Sequence, residues 1–105
     1  MSGTVSIVLV GIGGYGNTYV RALLDSPKSH RFRIVGAADP HPEGCHRYAE
    51  LRDMGIPIYA NLQEFYTDCT ADLAIIASPI QFHHGHSCLA LSKGSHVICE
   101  KLVSA

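Results

Sequence analysis

Charge is scarce in this chain. Charged residues make up 16% of the 105, and acids and bases nearly cancel to a formal net charge of −1. No basic run is longer than an isolated pair, which gives no footing for a nucleic-acid partner. No apolar stretch approaches the roughly 20 residues that span a bilayer, so no membrane partner is expected. The start, Met1-Ser2-Gly3-Thr4, carries neither a basic region nor a cleavage site, and a cytoplasmic location is the expectation. The four cysteines, Cys45, Cys69, Cys88 and Cys99, form no CxxC pair; without an export signal this argues against a disulfide framework. Cys88, on an apolar helical face, and Cys99, in a strand, read as buried free thiols. There is no internal repeat, no low-complexity tract and no flexible linker. The length allows one domain with one modest core.

What is present is a run of short apolar segments separated by helical patterns. Thr4–Val10 is rich in β-branched residues and uniformly apolar, as expected of a strand covered on both faces. A helix is expected over Tyr15–Ser26, where Tyr19, Val20, Leu23 and Leu24 recur at helical spacing and Ser26-Pro27 forms the stop. Phe32–Ala38 is a second strand. Pro42 suits the first turn of a helix carrying Tyr48, Leu51 and Met54 on one face and closed by Gly55. Ile56–Ala60 is a short third strand, followed by a short helix for which Asn61 and Glu64 form a capping box. Leu73–Ala77 is a fourth strand. A helix over His84–Lys93, with Cys88, Leu89 and Leu91 inward and Gly94 as its stop, leads to a fifth strand, His96–Cys99. Alternating strands and helices with uniformly apolar strands predict an α/β fold, a Rossmann-type doubly wound parallel sheet. About five strands in the order 3-2-1-4-5 are expected, truncated before a sixth.

The segment between the first strand and the first helix is Gly11-Ile12-Gly13-Gly14-Tyr15-Gly16. Gly11 permits the turn out of the strand, Gly13 lets a pyrophosphate approach the backbone, and Gly16 lets the helix lie close to the sheet. The N–H groups and positive dipole at the helix start then face the phosphates. Asp39 closes the second strand roughly twenty residues on, where a carboxylate accepts hydrogen bonds from the adenosine ribose. Its charge would repel a 2′-phosphate, favouring NAD, although His41 and Arg47 nearby leave NADP open. The candidate cofactor-binding residues of this half are thus Gly11, Gly13, Gly14, Tyr15, Gly16 and Asp39. In the second half, Ser78, Pro79 and His83 leave the fourth strand and Glu100 and Lys101 leave the fifth, all on the carboxyl side of the sheet. Lys101 could place a positive charge near a reacting oxygen.

Taken together, GIGGYG, AADP and SPIQFHHGHSCLALSKGSHVICEK resemble the N-terminal domain of the glucose–fructose oxidoreductase/inositol dehydrogenase/MocA (Gfo/Idh/MocA) family over about Val5 to Lys101. The most specific stretch, Gly94 to Lys101, is similar to that family's GKHVLCEKP. The resemblance implies an NAD(P)-dependent oxidoreductase moving hydride between a nicotinamide and a sugar, cyclitol or related polyol. It also implies that Pro79 and His83 match the family's PNxxH segment and Glu100 and Lys101 its EKP. The glutamate would then lie by the nicotinamide ribose, with Lys101 the catalytic residue. Ile80 stands where the family has asparagine, and Leu102 where it has proline; these departures bear on catalysis more than on cofactor binding.

The resemblance further implies that residues 1–105 are the dinucleotide-binding domain of a longer enzyme whose C-terminal substrate domain is absent here. The segment alone would then be inactive, with a fifth-strand edge open to homodimer pairing. A non-catalytic NAD-binding or sensing module, and a scaffold without ligand, are the alternatives. His84 and Cys88 share a helical face beside His83 and His86, but two ligands do not make a four-coordinate zinc site, and no metal is expected. His30, His41 and His46 read as surface residues.

Overall fold

Strand β1 (Val5–Val10) lies at the centre of the sheet with parallel partners on both sides, and over Ile7–Val10 both of its faces are buried, which is why that part of its sequence is apolar without alternation. A computed structural model describes residues 4–14, 16–26 and 31–99 of the chain. Its remaining elements are α1 (Gly16–Leu24), β2 (Phe32–Ala38), α2 (Tyr48–Asp53), β3 (Ile58–Tyr59), α3 (Leu62–Asp68), β4 (Leu73–Ile76), α4 (His83–Ser92) and β5 (His96–Cys99). The five strands form one all-parallel sheet in the order β3-β2-β1-β4-β5, as expected. β2 and β5 run over the residues read from the sequence, and the other elements differ by a few residues at their ends.

Successive residues of β1 serve opposite faces. Ile7 and Leu9 pack with Val20 of α1 and Leu51 of α2, while Val8 and Val10 pack with Leu62, Phe65 and Tyr66 of α3 and Ala90 of α4. The helices therefore change face between β3 and β4, and the chain reverses its direction of travel across the sheet there. In sheets of this kind ligands bind outside the carboxyl ends of the strands at such a reversal, which here falls between β1 and β4.

Gly36, inside β2, is explained by what lies over it. A Cβ at this position would come within 2.7 Å of two ring carbons of Phe65, a buried residue of α3. The pairing of β1 with β2 also shifts between Ile7 and Val8, so that Ile34 and Gly36 become their partners and Val35 is the extra residue. Gly36→Ala is expected to lower stability by about 1–3 kcal/mol through overpacking, read as an earlier urea-melt midpoint with an unchanged slope.

On the α3/α4 face a buried polar chain ties three segments. Ser95 Oγ donates to the Ala71 carbonyl at 2.7 Å and stands 2.6 Å from the Tyr66 hydroxyl. Because the serine proton goes to Ala71, Tyr66 is the donor to Ser95. Burial pushes the Tyr66 phenol above its ordinary value. At the amino end of the sheet, Ser6 and Asp72 exchange bonds: Ser6 N–H to Asp72 Oδ2 at 3.0 Å and Asp72 N–H to Ser6 Oγ at 2.8 Å.

Several expectations about helix faces are corrected. Pro42 does not open α2; it begins a separate 3₁₀ turn, Pro42–Gly44, and α2 starts at Tyr48. Of the residues expected to share one face of α2, Leu51 is buried but Met54 is 57% exposed. Gly55 (φ 78°) and Gly94 (φ 88°) do stop their helices in the left-handed region. On α4, Leu91 is 60% exposed and Cys88 is exposed, whereas Leu89, half-buried, packs against the core as expected and Ala90 is the fully buried residue. The inward stripe of α4 runs through His83, His86, Ser87 and Ala90, at the i, i+3, i+4, i+7 spacing of one helical face. The cysteines are all free, as expected, yet Cys45 is the buried one; Cys99 is half-buried. Asn61 caps α3 by accepting from Glu64 N–H at 2.8 Å.

Candidate functional site

Gly11 leaves β1 with φ 85°, and its N–H still bonds the Ala38 carbonyl of β2 at 2.8 Å. A Cβ on Gly11 would lie 2.9 Å from the Ser78 nitrogen and Cα. The turn after β1 and the turn after β4 thus touch backbone to backbone at the switch in strand order. Gly16 is bound more tightly still, since a Cβ there would overlap the Gly11 carbonyl oxygen, whereas the Ala77 Cβ stands 3.9 Å off. The need for this glycine accordingly comes from the loop folding back on itself more than from the helix–sheet spacing expected. Gly14 has φ 58°, and no atom beyond its chain neighbours lies within 4 Å of where its side chain would be. Space is open at this point of the loop, just ahead of α1.

Asp39 is half-buried at the carboxyl end of β2, and its carboxylate is the polar centre of the site. Oδ2 accepts from Ile12 N–H at 2.9 Å and Gly13 N–H at 3.1 Å, and Oδ1 accepts from His41 N–H at 2.7 Å. Three backbone donors of two turns therefore converge on one side chain. A carboxylate offers about four acceptor positions, and the one left belongs to Oδ1, where a ribose hydroxyl could bond.

Asn17, near the start of α1, joins the same assembly. Its Nδ2 donates to the Gly44 carbonyl at 3.2 Å and its Oδ1 accepts from His46 N–H at 2.7 Å. This clasp brings the 42–46 segment onto the glycine turn, where a Cβ on Gly13 would meet the Gly44 backbone at 3.5 Å. The sequence reading missed Asn17, Gly44 and His46; a polar amide directly after the last glycine was the available signal. Arg47 is committed elsewhere. Its guanidinium bonds both carboxylate oxygens of Asp25, at 3.1 and 3.2 Å, and both of Glu50, at 2.6 and 3.1 Å. Those bonds hold the Asp25 and Glu50 carboxyls below their usual range.

Beyond β4, Ser78 is buried and Pro79 exposed. His83 Nε2 donates to the Ser78 carbonyl at 2.5 Å, and His86 Nδ1 is 2.8 Å from Ser78 Oγ. His83 thus touches the loop after β4, and His86, weighed from the sequence only as a metal ligand, touches it too. His84 Nε2 faces Cys88 Sγ at 3.6 Å instead. Among the described residues no group of three histidine, cysteine or acidic side chains is placed to hold a metal ion. His41 and His46 are exposed, as expected. Tyr15, Glu100, Lys101, Leu102 and His30 lie outside the described residues. A groove of about 460 Å³ lined by Leu23, Phe32, Ile34, Met54 and Ile56 lies at the amino end of β2, away from this assembly. No helix among the described residues is long and apolar enough to cross a membrane.

Comparison with known proteins identifies a family and a fold. Residues 5–104 match the Gfo/Idh/MocA model, described as "Oxidoreductase family, NAD-binding Rossmann fold". A dehydrogenase structure from Chromobacterium violaceum is 31% identical, covers 96% of this chain and superposes with a TM-score of 0.79. The WlbA dehydrogenase of Chromobacterium violaceum, solved with NADH and UDP-GlcNAcA, is 24% identical with a TM-score of 0.81 over 99% of the chain. A 1-carboxy-3-chloro-3,4-dihydroxycyclohexa-1,5-diene dehydrogenase from Comamonas testosteroni is 24% identical over 92 residues, 88% of the chain. This chain spans 28% and 29% of the two structures and 23% of the Comamonas protein. With a family match over nearly all its length, and a five-stranded parallel sheet whose glycine turn follows the central strand, the chain belongs to the Gfo/Idh/MocA oxidoreductase family as an NAD-binding Rossmann domain.

Proposed function

We propose that this chain is the dinucleotide-binding unit, residues 1–105, of a dehydrogenase acting on a sugar, cyclitol or related polyol. The observation that carries the reading is the Asp39 carboxylate, which locks the Ile12 and Gly13 amides while keeping one acceptor position on Oδ1. Two features fit the dinucleotide. The open space at Gly14 leaves room for a pyrophosphate ahead of α1. The carboxylate stands at the strand end where the adenosine ribose would lie. Its negative charge, and the engagement of Arg47 by two other carboxylates, favour NAD over NADP.

When bound, the nicotinamide would supply hydride transfer. In this reading Gly11, Gly13, Gly14, Tyr15 and Gly16 shape the phosphate turn, Asp39 orients the ribose, and Ser78, Pro79 and His83 wall the nicotinamide half. Glu100 would contact the nicotinamide ribose, and Lys101 would hold a positive charge or a proton beside the reacting oxygen. The polyol class comes from the family and from neighbours such as the UDP-GlcNAcA complex. That relatives are three to four times longer supports placing the substrate contacts outside this segment.

Titration with NADH, followed by nicotinamide fluorescence, tests the reading. Saturable binding, tighter for NADH than NADPH, is the expected result. No binding up to millimolar NADH would overturn it. Binding without oxidation of any polyol by a longer form would make the domain a sensor instead.

A further inference from the structure

The first turn of α4 presents two half-buried histidines to one residue. His83 and His86, three positions apart, share the inward stripe with Ala90, and both reach Ser78. A carbonyl only accepts, so His83 is fixed as an Nε2–H donor to Ser78 O. His86 takes the other handle, the hydroxyl, through Nδ1 at 2.8 Å. On its outer side the His86 ring lies against Phe82, with centroids 6.0 Å apart. Ser78 in turn forms the wall on which Gly11 rests. Main chain and side chain of this one residue are therefore held from the same helix, directly beside the turn proposed to carry the dinucleotide.

We propose that His86 is a positioning residue of the cofactor site, acting through Ser78: its Nδ1 fixes the direction of the Ser78 hydroxyl and holds the Ser78–Pro79 turn against Gly11. The inference rests on the dinucleotide reading above. Whichever tautomer His86 adopts, one function of the hydroxyl is taken by the ring and cannot rotate toward solvent. Burial, with a smaller contribution from His83, pushes the His86 imidazole below its ordinary value and favours the neutral ring. A neutral Nδ1 with its lone pair toward Ser78 accepts the hydroxyl proton, which leaves the serine oxygen free to accept from a ligand donor.

Two near-isosteric amides separate this role from simple packing. In His86→Asn the amide stands where Nδ1 stood, and in His86→Gln it stands where Nε2 stood, away from Ser78. With the 105-residue chain, His86→Asn is expected to bind NADH within about twofold of the parent. His86→Gln and Ser78→Ala should each weaken it about three- to tenfold, the effect of one lost hydrogen bond. The double variant His86→Gln/Ser78→Ala should be no weaker than Ser78→Ala alone. Equal NADH affinity for His86→Gln and the parent, or losses that multiply in the double variant, would overturn the proposal and leave the dinucleotide reading standing. A parent that fails to bind NADH would overturn both. Should His86→Gln show no cooperative melt, His86→Asn decides: parent-like binding supports the role, and a loss equal to that of Ser78→Ala overturns it.

Discussion

Asp39→Ala is expected to weaken NADH binding by at least about tenfold and to lower stability by about 2–4 kcal/mol, two effects with one origin. The substitution leaves the Ile12, Gly13 and His41 N–H groups without their shared acceptor. Ile12 is fully buried, so its amide cannot turn to water without moving the glycine turn. The ribose-facing acceptor position disappears in the same step. Asp39→Asn separates the two contributions. Its amide oxygen can still serve Ile12 and Gly13, but its NH₂ must then face the His41 N–H, donor against donor. Stability should therefore fall less than in the alanine variant, while NADH affinity falls nearly as far. Urea melts and NADH titrations on the same preparations give both quantities. A parent-like affinity for Asp39→Ala would remove the carboxylate from the cofactor site.

The strands were the legible part of this molecule, and the reason is physical. The inner strands of a parallel sheet covered on both faces are built largely from apolar residues, so β1, β2 and β4 stand out as apolar runs, whereas β5 (His96–Cys99) keeps one face exposed at His96 and Ile98. The glycine turn was legible for a related reason, because positive φ at Gly11 and the overlap at Gly16 admit no other residue comfortably. Helix faces were less so. On α4 the apolar residues Cys88, Leu89 and Leu91 suggested one stripe, yet the observed stripe runs through two histidines to Ala90. The helix begins at the carboxyl end of the sheet, where its inner face meets the polar Ser78 turn and only its later part meets the core. An apolar count misreads a helix whose inner face changes from polar to apolar along its length.

The partners of Asp39 illustrate a second limit. The carboxylate was recognised from its place at the end of β2, but its donors are main-chain amides, which every residue carries and no sequence pattern marks. The same holds for the Asn17 clasp, which bonds the Gly44 carbonyl and the His46 N–H. Pro42 was read as the start of α2 because its fixed φ suits a first turn. The clasp instead holds a separate turn over Pro42–Gly44 beside Gly13, and α2 begins only after it. Long-range bonds from the Asn17 side chain to the backbone therefore decided the local structure here, against a sound local preference.

Gly16→Ala is expected to be the most damaging single substitution in the chain, removing measurable NADH binding and lowering stability by about 3 kcal/mol or more. The added methyl group would overlap the Gly11 carbonyl oxygen, which is backbone and cannot turn aside as a side chain would. Only two responses are open. If α1 moves outward, Val20, wholly buried against Ile7 and Leu9, loses its packing. If the Gly11–Ile12 peptide tilts, the Ile12 N–H on the same plane leaves Asp39 Oδ2, and the charge-assisted bond that shapes the turn is lost. Either way the phosphate turn and the core are disturbed together. Gly14→Ala provides the contrast: its side chain would meet open space, at the cost of about 1 kcal/mol or a little more for a non-glycine residue in the left-handed region. It should remain folded and yet bind NADH more weakly, because the methyl group would occupy the room proposed for the pyrophosphate. Thermal melts and NADH titrations of the two variants check both halves of this contrast. A Gly16→Ala protein that melts and binds like the parent would show that the turn does not need the close approach seen here.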